Sequence, residues 1–120
     1  MESSTSIEAN RVEVTTGLGA LVDPVRLAIV GVLAAQEQCV CRLQEQVPVA
    51  GNLLSYHLRV LRDAGLVTAT RRGRWVDYRL DGGGFAALWA AVAAAGVPMP
   101  GHRDAPARQR AAYAAARAAP

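Results

Sequence analysis

Two cysteines, Cys39 and Cys41, are the only thiols in this chain of 120 residues, and they stand one residue apart in the stretch EQCVCRL. Thiolates are soft donors that capture thiophilic ions, so a solitary pair is a candidate metal or metalloid site. A disulfide could form only between the two, and a ring closed across one residue would be strained, so a structural disulfide is the least expected role. The competing structural role is that of two small buried hydrophobes. A helix is expected to start at this point. Its dipole would favour the thiolate forms, with Arg42 assisting and Glu37 opposing. Residues two apart point to roughly opposite sides of a regular helix, so one ion would hold both sulfurs only if the first turn distorts or unwinds.

The second chemical signal is charge. The net charge is +3, and every basic residue is an arginine. In residues 1–55 three arginines face six acids, whereas in residues 56–80 six arginines face only Asp63 and Asp77. A basic middle segment beside an acidic front half suggests one face made for a polyanion.

The elements that must position these groups are mostly helical. Residues 1–6 are expected to be disordered, and 7–21 are weakly helical, with Gly17 and Gly19 as weak points. Asp23-Pro24 is a helix start, with Asp as cap and Pro at the first helical position. The apolar run Val25, Leu27, Ala28, Val30, Val32 and Leu33 predicts a mostly buried helix. CVCRLQEQV predicts a short helix ended by Pro48, then Gly51-Asn52 a turn. Leu54, Leu58 and Leu61 mark an amphipathic helix over 53–64, stopped by Gly65 in the left-handed conformation. Residues 66–70 and 75–80 alternate as strands around a turn at Arg71-Arg72-Gly73. After Gly82-Gly83-Gly84, the stripe Phe85, Leu88, Trp89 and Val92 predicts an Ala-rich helix ending near Gly96. Residues 97–120 form an Arg/Ala-rich tail, helical or disordered. Residues 1–96 therefore read as one domain, mainly α with a β-hairpin.

Short helix, turn, amphipathic helix and two-stranded hairpin, in that order, make a winged helix-turn-helix. The basic block covers its recognition helix and wing tip. Asn52, Ser55, Tyr56, His57 and Arg59 could reach base edges or phosphates, and Arg71, Arg72 and Arg74 would meet phosphates or a minor groove.

LVDPVRLAIVGVL, EQCVCRL, LLSYHLRVLRDAGLV and RRGRWVDYRL together resemble the ArsR/SmtB family of metalloregulatory repressors, from about Leu21 to Leu80. The resemblance implies a homodimeric repressor that leaves a two-fold DNA operator when it binds a metal or metalloid. Cys39-Val40-Cys41 falls where the arsenic-sensing branch carries its Cys-Val-Cys motif, which makes Cys39 and Cys41 the expected metal ligands. The implied inducers are As(III), inorganic or methylated, and Sb(III), with no organic cofactor. Gln44 stands where many members of that branch have a third cysteine, so a two-thiol site would need a third group from the ion itself, from hydroxide or from a small thiol. The C-terminal helix site of zinc- and nickel-type members would fall at Gly82-Gly83-Gly84 and is expected to be absent, with His102 and Asp104 a thin remainder.

Phe85, Leu88, Trp89 and Val92 are expected to form the dimer interface, helped by residues 7–20. The competing view is that they only close the monomer core. No apolar run is long enough for a membrane span and the N-terminus is polar, so a cytoplasmic protein is expected. Within the same fold, the thiols could instead sense oxidants or persulfides, or cadmium or lead. A thiol enzyme or metal carrier is the remote alternative: an enzyme needs a base near the nucleophile and the two histidines are far apart in the chain, and a carrier would not need an arginine-tipped wing.

Overall fold

The structure is a computed structural model that describes residues 2–98, with side chains from Ala9 onward. It comprises α1 (Glu2–Leu21), α2 (Pro24–Ala35), β1 (Gln38–Cys39), α3 (Val40–Gln46), α4 (Gly51–Asp63), β2 (Val67–Arg72), β3 (Trp75–Leu80) and α5 (Gly82–Ala94). The expected mainly α fold with a hairpin wing is present. The expectations for residues 99–120, His102 and Asp104 included, lie outside the described residues.

Helix α1 begins at Glu2, not after a disordered stretch of six residues. Once a turn is nucleated each further residue is added cheaply, and from Asn10 onward α1 packs against α5. Val14, Gly17 and Ala20 form its buried stripe. Asn10 Nδ2 donates to the Ala91 carbonyl of α5 at 3.2 Å. Gly17 is no weak point: a Cβ there would come within 2.5 Å of Leu88 Cδ1, so the glycine admits that leucine against the helix.

Asp23 caps α2 as expected, accepting from the backbone N–H groups of Val25 at 2.8 Å and Arg26 at 3.2 Å. Burial works against its charge. The amide hydrogens of Arg26 and Val25, with the charges of His57 and Arg26, outweigh it and hold the carboxyl below its ordinary range. Helix α2 is less buried than its composition suggests. Only Ile29 and Leu33 are fully enclosed, and Leu27 and Ala28 face outward.

Helix α4 stops at a Schellman turn, with Gly65 at φ 77°, its N–H on Arg62 O, and Leu66 N–H on Leu61 O at 3.0 Å. Leu54, Leu58, Leu61, Leu66 and Val67 are fully enclosed and join Leu43, Ile29 and Leu33 in one core. Gly84 of α5 lies directly against the Gly65 carbonyl, where a Cβ would overlap the oxygen. Asp81 caps α5 by accepting from the Gly84 N–H at 3.0 Å.

The sheet is antiparallel in the order β1-β3-β2. Strand β2 runs to Arg72, so the turn is Gly73-Arg74 and not Arg71-Arg72-Gly73. Gly73, at φ 60°, supplies the positive φ that a two-residue hairpin turn needs. Strand β1 was not expected, and it changes the setting of the cysteines.

Candidate functional site

Cys39 lies outside the helix. It is the last residue of β1 and the N-cap of α3, with extended φ −75° and ψ 161°, and the helix begins at Val40. The divergence of side chains two apart in a helix is therefore absent here. Extended backbone at Cys39 brings the side chain back over the first turn, to Cys41. The two Cα atoms are 5.5 Å apart and the sulfurs are bonded to each other. The expectation that a disulfide here is the least fitting role is thus corrected: the link is closed because one partner is strand and the other helix. Reduced, the same placement offers two thiolates within bridging reach of one ion, so the pair fits a two-sulfur metalloid site. Among the described residues, no group of three or more His, Cys, Asp or Glu could hold a metal ion. Gln44, at the place of a third thiol, is exposed, and its amide donates to Val49 O at 3.4 Å.

Strand β1 pairs with the wing. Gln38 stands opposite Tyr78, and Cys39 opposite Asp77. Gln38 is buried, and its side-chain oxygen accepts from Gln46 Nε2 at 3.0 Å, which fastens β1 to the last turn of α3. The cysteines therefore straddle the joint between the wing sheet and the first helix of the helix-turn-helix.

Of the residues expected to meet DNA, most share one outward surface. Asn52, Ser55, Tyr56 and Arg59 lie on the exposed face of α4, at helical spacing, with Arg62 one turn further. Gly51 and Asn52 belong to the first turn of α4 and not to a separate turn before it. Arg71, Arg72 and Arg74 are exposed at the end of the hairpin. Arg71 Nε donates to the Gly73 carbonyl at 3.1 Å, and Arg72 Nε pairs with Asp77 Oδ2 at 3.0 Å.

His57 is the exception. It is only 6% exposed, on the opposite side of α4 from the arginines. Its Nδ1 lies 3.1 Å from Arg26 Nη1, and an arginine can only donate, so in the neutral imidazole Nδ1 is the acceptor. Arg26 Nε also donates to Ala20 O at 2.7 Å, near the end of α1. One guanidinium thus ties α1, α2 and α4 together. His57 is withdrawn from the surface expected to read DNA and instead fixes the helix that carries it. Arg26 gave no sequence signal beyond its place after the Asp-Pro cap.

The expected dimer stripe is divided. Leu88, 3% exposed, and Val92 face the monomer's own core, and Phe85 is half-buried against it. Trp89, 44% exposed, stands outward, as do Val12 and Leu18 of α1. The competing view of the stripe thus holds for Leu88 and Val92, while Trp89 remains an outward aromatic.

Residues 23–69 match the family model described as "Bacterial regulatory protein, arsR family". A solved structure of a possible transcriptional regulator for arsenical resistance is 32% identical, with a TM-score of 0.63 over 83% of this chain and 94% of that one. The chain belongs to the arsR family of bacterial regulatory proteins. The HTH-type transcriptional repressor SmtB of Mycobacterium tuberculosis is 48% identical over 63 residues, 52% of this chain and 47% of that protein. The arsenical resistance operon repressor of Bacillus subtilis is 43% identical over 63 residues, 52% of this chain and 60% of that protein. The chain thus spans about half the length of the first of these relatives. These relatives are named as regulators, not enzymes, and no single helix among the described residues is long and apolar enough to cross a membrane.

Proposed function

We propose that this ArsR-family chain is a cytoplasmic DNA-binding transcriptional repressor, acting as a homodimer on a two-fold operator and released when Cys39 and Cys41 take up trivalent arsenic or antimony. The exposed face of α4 enters the major groove, and the arginines of the wing take phosphates or the adjacent minor groove. The outward residues of α1 and α5, with Trp89 the largest of them on α5, form the dimer contact.

One observation carries the inducer reading: the only two cysteines sit at the joint of β1 and α3. A soft ion drawn between two thiolates supplies two strong metal–sulfur bonds and sets the distance between them. This chain's residues do the rest. The distance between Cys39 and Cys41 sets the start of α3 on one side and the β1–β3 ladder on the other. A coupling of about 1–3 kcal/mol between inducer and operator is ordinary for such linkage. The names of the arsenical resistance relatives support arsenic as the ion.

A second reading is favoured by the bond between the sulfurs. Here an oxidant such as a peroxide takes two electrons and two protons from the thiol pair, is itself reduced to water, and leaves Cys39 joined to Cys41. Both readings act by drawing Cys39 and Cys41 together. A release titration of the reduced protein on duplex DNA from upstream of its own operon separates them, with arsenite, methylarsenite, antimonite, cadmium, lead and peroxide side by side. Release by the trivalent metalloids at lower concentration than by the others supports the proposal. Release by peroxide alone moves the assignment to redox sensing, and release by cadmium or lead alone moves it to those ions. Failure to bind any upstream duplex at low salt removes the repressor reading altogether.

A further inference from the structure

We propose that Glu37 and Asp77 couple the cysteine site to the wing: with the sulfurs drawn together, the two carboxylates hold the Arg72 guanidinium on the sheet and away from operator phosphate. The inference rests on the reading of Cys39 and Cys41 as the inducer site and adds the residues that transmit its state. Residues directly opposite on antiparallel strands place their side chains on the same sheet face. Cys39 is opposite Asp77, Thr70 opposite Asp77, and Arg72 opposite Trp75, so Cys39, Asp77, Trp75 and Arg72 share one face. Both ion pairs among the described residues end on Arg72. Its Nε lies 3.0 Å from Asp77 Oδ2, and its Nη2 lies 3.9 Å from Glu37 Oε1.

The geometry makes Glu37 the movable half of this clamp. Asp77 sits in the central strand, with partners on both sides. Glu37 lies just before a two-residue strand, beyond its last ladder pair, and two residues from Cys39. The Cys39–Cys41 link ties that short strand to the first turn of α3. Without the link, β1 is held by two ladder pairs and the buried Gln38, and Glu37 gains freedom to leave Arg72. Two carboxylates at one guanidinium cancel its charge towards a phosphate. Exposed pairs of this kind are weak, which suits a clamp that must yield to DNA in one state and hold in the other.

The test uses the reduced full-length protein, its upstream duplex, and phenylarsine oxide as the dithiol probe. Two S–As bonds form, and the arsenical oxygen leaves as water with both thiol protons. Operator affinity is measured against salt with and without the probe, and free thiols are counted with a chromogenic disulfide. Each phosphate contact contributes about 0.9 to the slope of log K against log salt. In the parent protein the probe should consume both thiols and flatten the slope by about 0.9 per wing as Arg72 is withdrawn. In the Glu37→Gln/Asp77→Asn variant the thiols should be consumed equally, the slope should stay unchanged, and release should shrink by about fivefold or more. Glu37→Gln alone, at an exposed position that leaves folding intact, should show a smaller change of the same sign. Equal release and equal flattening in parent and double variant would overturn the coupling while leaving the cysteine site standing. Two thiols still free in the parent after the probe would overturn the site reading, and the coupling with it.

Discussion

Replacing Arg26 by Met tests whether one part-buried contact fixes the recognition helix. Methionine keeps an apolar stem of similar length and removes every donor. Two bonds are lost: Nε to Ala20 O at 2.7 Å and Nη1 to His57 Nδ1 at 3.1 Å. The contact of Nη2 with Gly19 O, at 3.4 Å and exposed, is counted as nothing. Water can replace the arginine at the helix end, so the first loss costs about 1 kcal/mol. His57 is enclosed, and its Nδ1 would be stranded without a partner, at about 1–3 kcal/mol. The expected total is about 2–4 kcal/mol, equivalent to roughly 10–20 °C in Tm for a domain of this size. The double-mutant cycle isolates the contact. In a His57→Leu background there is no Nδ1 to strand, so Arg26→Met should cost only about 1 kcal/mol, leaving about 1–3 kcal/mol of coupling. Urea denaturation of all four proteins at one protomer concentration measures this, the fixed concentration holding any self-association constant. A cost below about 0.5 kcal/mol, or the same cost in both backgrounds, would refute the assignment of His57 as a residue held by Arg26.

Three further outcomes are expected. Arg74→Ala at the wing turn should lower operator affinity and reduce the salt slope by about 0.9 per wing across unrelated sequences, measured by anisotropy titrations at several salt concentrations; loss confined to one sequence would count against a phosphate contact. Gly84→Ala should destabilise the fold by about 1–3 kcal/mol in denaturant, because α5 must move off the Gly65 carbonyl, and an unchanged midpoint would contradict that packing. Asp23, held below the ordinary carboxylate range in the folded chain, should contribute stability that is full above about pH 4 and is lost as pH falls through its folded value. Acid unfolding of Asp23→Asn against the parent reads this, and identical pH profiles would deny the cap its charge.

What the sequence revealed and what it hid divide along physical lines. Helix α4 was legible because Leu54, Leu58 and Leu61 repeat with the helical period, and its end because Gly65 is the residue that a left-handed stop requires. The hairpin was legible from the alternation of Trp75, Asp77 and Arg79 with Val76, Tyr78 and Leu80. Strand β1 was not, since two residues are too few to show a period, and its partner β3 lies almost 40 residues along the chain. That omission placed Cys39 in a helix and made the two sulfurs seem divergent. The turn was started two residues too early because Arg71 and Arg72 read as polar punctuation, whereas ladder pairing with Val76 and Trp75 keeps them in strand. His57 looked like a reader of DNA because it neighbours Tyr56 and Ser55. Helical spacing, three residues after Leu54 and four before Leu61, sets it instead on the inward face, against α2. In the same way Leu88 and Val92 were spaced like Trp89, but α1, through Gly17, takes up the leucine and leaves the tryptophan outside.

The most direct measurement is operator release by arsenite from the reduced parent and from Cys39→Ser and Cys41→Ser, each assayed at equal starting occupancy of the DNA. Both variants should bind DNA like the parent and stay bound at arsenite concentrations that empty it. Release of either serine variant at the parent's arsenite concentration, or a parent that stays on the operator throughout, would contradict the account.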